Sequence, residues 1–223
     1  MIKYWGTNGS QPCRSVVYCL RKLEIEHEAI EVTVPKDTRS EEFRRDVNPR
    51  GTIPTLEAEG VKCAESAAIV RYLCTKYDEE GILYPKEDDL IKRAQIDAWI
   101  DICNTVYRPA FMNAHIGIEL NSKYNGKELA SDEEQKHLVE DVCSKLEDFD
   151  SNLEDKKYLV GETMTIADVY LFNEVISVLA LLKLDPSEQY KNIASWWELI
   201  LKDEILQELT AHLRTDTSEN VED

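Results

Sequence analysis

Residues 47–69 of this chain read VNPRGTIPTLEAEGVKCAESAAI, and this stretch decides how the first third of the sequence folds. Two short apolar runs, 53–57 and 61–63, are separated by Glu59-Gly60, a pair that is typical of a tight turn. The pattern predicts a β-hairpin. Small and apolar residues then recur at helical spacing over 64–77, which predicts a helix directly after the hairpin.

The residues before this stretch alternate between strand and helix patterns. Residues 2–7 form a short apolar and aromatic run that ends at Asn8-Gly9, and helical spacing follows. Residues 28–34 alternate apolar and polar side chains as a strand does, and 40–47 form a short polar helix. The predicted order is βαβαββα, an α/β domain over residues 1–78 in which the first two strands are joined by a crossover.

The composition changes after this domain. Gly81 and Pro85 lie among charged residues in 79–88, which predicts a linker. Beyond it only helical periodicity occurs, so we expect an all-α domain over 89–213. The last segment, 214–223, has almost no apolar content and is expected to be a flexible acidic tail.

Charge is distributed unevenly along the chain. The 223 residues carry a formal net charge of −18. Residues 1–80 contain 12 basic and 14 acidic side chains, whereas the remainder contains 14 and 30. Because nucleic acid and anionic membranes are recognised by clustered Lys and Arg, we expect neither as a partner. An anionic small ligand is expected at the nearly neutral first domain.

Cysteines and histidines give no metal-binding or disulfide pattern. The six cysteines and four histidines are scattered, without the paired spacing of a zinc site. No apolar run approaches the ~20 residues of a membrane helix, and the first residues do not resemble a signal peptide. We therefore expect no metal, reduced thiols and a cytoplasmic location.

Three local patterns in the first domain carry candidate chemistry. Ser10 precedes a helix whose unpaired N–H groups would favour a thiolate, although a simple N-cap is an equal alternative. A cis Ile53–Pro54 bond would turn backbone groups outward, whereas an edge proline would only prevent aggregation. Glu65 and Ser66 begin the last helix, with Ser66 as the expected cap. They form either an acidic capped turn or a site in which the helix N-terminus holds the carboxylate, and Glu65 the ammonium, of a free amino acid.

Together these segments resemble the glutathione S-transferases, particularly the theta class. The similar segments are SQPCR at 10–14, VNPRGTIPTL at 47–56, ESAAI at 65–69, LVGE at 159–162 and MTIAD at 164–168. The last of these is similar to the family's capping box and hydrophobic staple, in which Thr165 and Asp168 cap reciprocally and Met164 packs on Val169. The resemblance covers nearly the whole chain.

The resemblance implies the glutathione transferase architecture, a thioredoxin-like first domain followed by an all-helical second domain, as a homodimer. Glutathione would be the co-substrate and a small electrophile the second substrate. Ser66 and Glu65 would hold the γ-glutamyl carboxylate and ammonium, and the backbone of Ile53, beside a cis Pro54, would pair with the cysteinyl unit. The residues expected towards the glycine end are Gln11, Lys36, Arg39, Arg50 and Thr52.

The resemblance also places Ser10 at the position of the catalytic serine, whose hydroxyl donates a hydrogen bond to the glutathione sulfur. Tyr4 and Cys13 are the competing groups. Structural roles are favoured for both, because Tyr4 lies early in the first strand and Cys13 falls on the apolar face of the first helix. Arg108 lies near the position of an arginine that helps stabilise the sulfur, or else is a helix-surface residue.

The second domain leaves two further questions open. Four aromatic residues are candidates for the electrophile pocket or for the core: Trp99, Phe111, His115 and Trp196. Residues 184–197 resemble the transferase-like domain of the gamma subunit of the translation elongation factor complex, in which the fold serves assembly. The theta-class lysines near positions 51 and 52 are replaced by Gly51-Thr52. A non-catalytic scaffold or assembly subunit is therefore the alternative hypothesis.

Overall fold

The computed structural model describes residues 1–214, and the chain divides into two compact units, Met1–Arg93 and Ala94–Asp223. The predicted tail at 214–223 lies, apart from Arg214, outside the described residues. The division between the two units falls at Arg93, within a helix, whereas the sequence predicts a linker at 79–88. The domain bounds predicted from the sequence stay predictions.

The first unit has the predicted βαβαββα order. Its elements are β1 Ile2–Gly6, α1 Gln11–Lys22, β2 His27–Glu31, α2 Glu41–Asp46, β3 Thr55–Ala58, β4 Val61–Ala64 and α3 Ser66–Tyr77. The strands form one sheet in the order β2-β1-β3-β4. β1 is parallel to β2 and antiparallel to β3, which forms the predicted hairpin with β4. This mixed sheet is that of a thioredoxin-like domain.

Strand β2 is shorter than the apolar alternation predicts. It ends at Glu31, because the chain turns immediately afterwards, around a cis Val34–Pro35 bond. The turn is held by the Asp37 carboxylate, which accepts the Thr33 N–H at 2.7 Å. A local side-chain bond of this kind competes with the strand ladder, so the alternating pattern continues past the end of the strand.

The first unit buries its core between its helices and its sheet. α1 and α3 pack together through fully buried side chains such as Leu20 and Leu73. The thiols of Cys19 and Cys74 lie 3.9 Å apart at this contact. All six cysteines are free thiols.

The second unit is helical in its described part. A run of helix begins with α4 Leu90–Ile102, whose first four residues belong to the first unit. It continues with a π-helical turn at Cys103–Tyr107, α5 Arg108–His115, a second π-helical turn at Ile116–Leu120 and α6 Asn121–Asn125. The remaining helices are α7 Asp132–Asn152, α8 Ile166–Leu182, α9 Pro186–Gln189, α10 Lys191–Ile200 and α11 Glu204–Arg214. α8 is buried along nearly its whole length. No helix within residues 1–214 has the length and apolar content needed to cross a membrane.

The N-terminus of α8 carries the predicted capping box. Thr165 and Asp168 cap reciprocally, and the Thr165 N–H donates to the Asp168 carboxylate at 2.9 Å. Asp168 is fully buried and accepts two further bonds, from the Leu159 N–H at 2.8 Å and the Trp196 indole N–H at 3.0 Å. The box therefore also ties α8 to α10. The predicted contact of Met164 with Val169 stays a prediction.

Candidate active site

Ser10 lies at the N-terminus of α1, directly before the half-buried Gln11. Its backbone is extended (φ −98°, ψ 125°), its N–H donates to the Thr7 carbonyl at 3.2 Å, and its side chain makes no capping hydrogen bond. A simple side-chain cap is therefore not its role. The half-buried hydroxyl instead interacts with the Cys13 thiol and acts to lower the pKa of that thiol. Since the first turn of α1 has no acidic residue, the positive end of the helix dipole is not neutralised there.

Tyr4 and Cys13, the competing groups, lie in the core. Tyr4 is 4 % exposed, its hydroxyl donates to the Cys13 carbonyl at 3.4 Å, and burial raises the pKa of the phenol well above its ordinary value. Cys13 is fully buried, and burial raises the pKa of its thiol although the hydrogen bond from Ser10 acts in the opposite direction. A catalytic nucleophile must be both ionisable and accessible, so these two groups fill structural roles.

The loop before β3 is held in place by Asn48, a residue that is not among the predicted site residues. The Asn48 amide nitrogen donates to the carbonyl and hydroxyl oxygens of Thr52 at 2.8 and 3.0 Å, and its oxygen accepts the Arg50 N–H at 3.1 Å. Asn48 is 4 % exposed, whereas the Arg50 and Thr52 side chains lie on the surface. The Asn-Pro-Arg-Gly pattern is typical of such a side-chain-stabilised turn and would have pointed to Asn48. The Ile53–Pro54 bond that follows is cis, as predicted.

Gly51 brings this loop against the turn that follows β2. Its φ is +63°, and a Cβ built on it would lie 2.5 Å from the Thr38 carbonyl oxygen. A residue with a side chain does not fit so close an approach. Lys36 and Arg39, both exposed, therefore lie on a turn that borders the loop carrying Arg50.

Glu65 and Ser66 lie at the N-terminus of α3, but their backbone roles differ from the expected ones. Glu65 is the N-cap residue, at a positive φ of 73°, whereas Ser66 is already the first helical residue and is 7 % exposed. Glu65 rather than Ser66 is the N-cap because β4 ends at Ala64, which leaves only one residue to turn the chain before the helix begins. The Glu65 carboxylate points to solvent and accepts a hydrogen bond from Arg50 Nη1 at 2.8 Å.

This ion pair changes the expected place of Arg50. The resemblance puts Arg50 towards the glycine end of the ligand, but in the structure its guanidinium contacts the carboxylate that is expected to receive the γ-glutamyl ammonium. Both partners are largely exposed, with 74 % of the Arg50 side chain and 65 % of the Glu65 side chain accessible.

Arg108 lies in the second unit, at the beginning of α5. Its guanidinium forms an ion pair with the Glu174 carboxylate on α8, and the two side chains are 26 % and 2 % exposed. Arg108 is therefore a partly buried, paired arginine, and its role beside the sulfur stays a prediction. No local sequence pattern indicates this pair, because the two residues are 66 positions apart.

Comparison with known families decides the assignment. The model of the glutathione S-transferase N-terminal domain matches residues 5–81, and that of the C-terminal domain matches residues 98–204. The chain belongs to the glutathione S-transferase family. It is an enzyme of that family, with glutathione as its co-substrate.

Relatives of this transferase come from several groups of organisms. Glutathione S-transferase F9 of Arabidopsis thaliana is 26 % identical over 208 residues, which cover 89 % of this chain and 91 % of the relative. Isozyme E7 of Drosophila melanogaster is 28 % identical, with a TM-score of 0.82 over 97 % of this chain and 94 % of that one. Human glutathione transferase theta-2, solved with glutathione, is 26 % identical, with a TM-score of 0.82 over 97 % and 89 %.

These relatives bear on the class and on the alternative hypothesis. The similarity includes the theta class, as predicted, but it also includes plant and insect transferases, so membership of the theta class itself stays a prediction. The relatives are named as transferases, and nothing among them favours an assembly subunit.

The aromatic candidates for the electrophile pocket of the transferase differ in how deeply they are buried. Phe111 and Trp196 are 1 % and 0 % exposed, and the Trp196 ring packs on Phe149 with a centroid distance of 5.3 Å. Of the two alternatives, the core is the one that applies to these residues, because their rings fill the interior of the helical unit. His115 is also buried. Trp99 is half-buried and lines a cavity of about 750 Å³ within the second unit.

Proposed function

We propose that this transferase activates the glutathione thiol through Ser10 and that the resulting thiolate attacks a carbon atom of a small electrophile. The observation that best supports this role is the position of the Ser10 hydroxyl. It lies at the N-terminus of α1 and does not cap the helix, so its O–H is not committed to the backbone. The other hydroxyl and the thiol near this helix end, Tyr4 and Cys13, are buried.

The Ser10 hydroxyl acts by donating a hydrogen bond to the glutathione sulfur. A hydrogen bond to a charged group contributes roughly 1.5–3 kcal/mol, and one pKa unit corresponds to about 1.4 kcal/mol, so the thiol pKa would fall by about one to two units from ~8.5. The N-terminus of α1 adds favourable potential for the anion.

The chemical step needs no protein nucleophile. The glutathione thiol loses its proton to solvent, the sulfur lone pair forms a carbon–sulfur bond, and the leaving group departs with its bonding pair. With an activated double bond, the electron pair moves onto the acceptor, which takes a proton from water. The enzyme accelerates the step by supplying thiolate at neutral pH and by orienting it.

The remaining site residues bind the tripeptide. Glu65 would accept the γ-glutamyl ammonium, and Ser66 with the N-terminus of α3 would hold the α-carboxylate. The Ile53 backbone, before the cis Pro54, would pair with the cysteinyl unit. The residues proposed for the glycine end are Gln11, Lys36, Arg39 and Thr52.

The proposed role of Arg108 in stabilising the sulfur comes from the family resemblance. Its ion pair with the buried Glu174 fixes the guanidinium while leaving 26 % of the Arg108 side chain accessible. An arginine held in this way keeps donors available that are not used by the carboxylate.

The thiolate absorbance of bound glutathione tests the role of Ser10. The band is titrated against pH for the wild type, for Ser10→Ala and for Ser195→Ala, which removes an exposed serine hydroxyl from α10. We expect the apparent thiol pKa to rise by about one to two units in Ser10→Ala only. Identical titrations of the wild type and Ser10→Ala would eliminate Ser10 as the activating group.

We further propose that the enzyme is a cytoplasmic homodimer, as is usual for its family. The support in the structure is a set of strongly exposed apolar side chains in the first unit, with Val61, Leu90 and Ile91 accessible to 69 %, 67 % and 73 %. Light scattering should give twice the mass of the chain, and a monomeric mass at micromolar concentration would contradict the dimer.

A further inference from the structure

We infer that Arg50 determines specificity for the zwitterionic head group of the ligand. In the structure the Arg50 guanidinium is paired with the Glu65 carboxylate, and when the ligand's ammonium takes its place the guanidinium moves onto the ligand's α-carboxylate. This inference rests on the proposed function, since it concerns the same γ-glutamyl subsite.

The ion pair itself has the properties of a displaceable contact. Arg50 Nη1 and Glu65 Oε1 are 2.8 Å apart, which is a good hydrogen-bond distance, but both side chains are mostly exposed. Exposed pairs of this kind contribute little because water screens them and two long side chains must be ordered. A ligand ammonium can therefore replace the guanidinium on Glu65 at small cost.

The backbone around Arg50 restricts the rearrangement to its side chain. Asn48 is buried and binds both the Arg50 N–H and Thr52, and Gly51 packs on the Thr38 carbonyl. The loop is thus held on both sides of Arg50. The long, flexible side chain can swing while its attachment point stays in place.

The chemistry of the head group supplies the new partner. The ammonium and carboxylate of a γ-glutamyl unit are bonded to one carbon atom, so an ammonium seated on Glu65 brings the carboxylate next to the guanidinium that it displaces. The guanidinium has five N–H donors and matches a carboxylate in a bidentate geometry.

The first turn of α3 offers no cation for that carboxylate. Ser66 is followed by Ala67 and Ala68, whose side chains carry neither charge nor a hydrogen-bond donor. The loop residue Arg50 supplies the missing positive charge from outside the helix. A ligand without the α-carboxylate would displace Arg50 from Glu65 without providing a new hydrogen-bond acceptor for the guanidinium.

Calorimetric titration of two ligands tests the inference. The ligands are glutathione and γ-aminobutyryl-cysteinylglycine, which keeps the ammonium and lacks the α-carboxylate. The full-length wild type is compared at low ionic strength with Arg50→Gln and with Arg45→Gln. The last is a matched control, because Arg45 forms an exposed pair with Asp46 in the same unit.

The expected result is a change in preference that is confined to Arg50→Gln. Glutathione should bind this variant about fivefold more weakly than the wild type, because the bidentate pair with the ligand carboxylate is stronger than the exposed pair with Glu65 that it replaces. The analogue should bind both proteins equally, or slightly better in the variant. Arg45→Gln should behave as the wild type does.

Two results would overturn the inference while leaving the proposed function intact. They are a wild-type preference for glutathione that Arg50→Gln retains, and an equal loss of affinity for both ligands in that variant. A wild type that binds neither ligand would instead refute the proposed glutathione site. Matching thermal melting curves of the three proteins establish that all are folded.

Discussion

Replacing Gly51 with alanine tests the contact that supports the proposed glutathione site. An alanine at φ +63° costs about 1–2 kcal/mol relative to glycine, because its Cβ crowds the following carbonyl. The new methyl would also lie 2.5 Å from the Thr38 carbonyl oxygen and 3.0 Å from Arg44 Nε. The arginine can move, but a backbone carbonyl shifts only with its chain, and overpacking of this kind costs about 1–3 kcal/mol. We expect a total loss of about 2–5 kcal/mol.

The hairpin turn provides a matched control. Gly60 also has a positive φ, +78°, but a Cβ built there meets no atom within 4 Å. Gly60→Ala therefore carries the backbone cost alone, about 1–2 kcal/mol. The difference between the two variants measures the approach of the loop to Thr38. Urea unfolding gives both losses, provided that the slope against denaturant is unchanged.

Glutathione affinity provides the second measurement on these variants. Gly51 lies between Arg50 and Thr52, so Gly51→Ala should weaken glutathione binding, whereas Gly60→Ala should not. If the two variants lose equal stability, the close approach to Thr38 contributes nothing. If Gly51→Ala is destabilised and still binds glutathione with wild-type affinity, the loop is not part of the site.

Two further substitutions separate capping from chemistry and test the helical core. Ser40→Ala should lower the free energy of unfolding by about 1 kcal/mol, because the Ser40 hydroxyl accepts a backbone N–H of α2 at 3.1 Å. Ser10→Ala should lower it far less, because Ser10 makes no capping bond. Equal losses of stability in urea unfolding would contradict this difference. Trp196→Phe leaves the fully buried Asp168 without its indole donor and should lower the free energy of unfolding by about 1–3 kcal/mol. Urea unfolding measures this loss beside that of the control Trp197→Phe, whose ring is half-buried. A smaller loss in Trp196→Phe than in the control would show that the indole bond to Asp168 does not stabilise the fold.

Features that depend on neighbouring residues could be predicted from the sequence. The strand and helix order of the first unit, the hairpin at Glu59-Gly60 and the capping box of Thr165 and Asp168 are confirmed. Each depends on interactions within a few residues, such as turn preference, the alternation of side chains along a strand and the capping of helix N–H groups. The cis bond before Pro54 also came from a local motif.

Pairs of side chains that are distant in the chain could be identified only in the folded protein. Arg50 and Glu65 are 15 residues apart, and Arg108 and Glu174 are 66 residues apart. The full burial of Trp196 and its bond to Asp168 belong to the same group. No local pattern encodes them, because the identity of an arginine or a tryptophan does not reveal its partner.

The sequence by itself therefore determined the elements, the family and the segment in which each candidate residue lies. The tertiary structure decided which groups are available for chemistry. It buried Tyr4 and Cys13, left the Ser10 hydroxyl uncommitted to capping, and placed Arg50 on the Glu65 carboxylate. The physical reason is that burial, and with it the pKa of a thiol or phenol, depends on all the chain segments that pack around a group rather than on its neighbours in sequence.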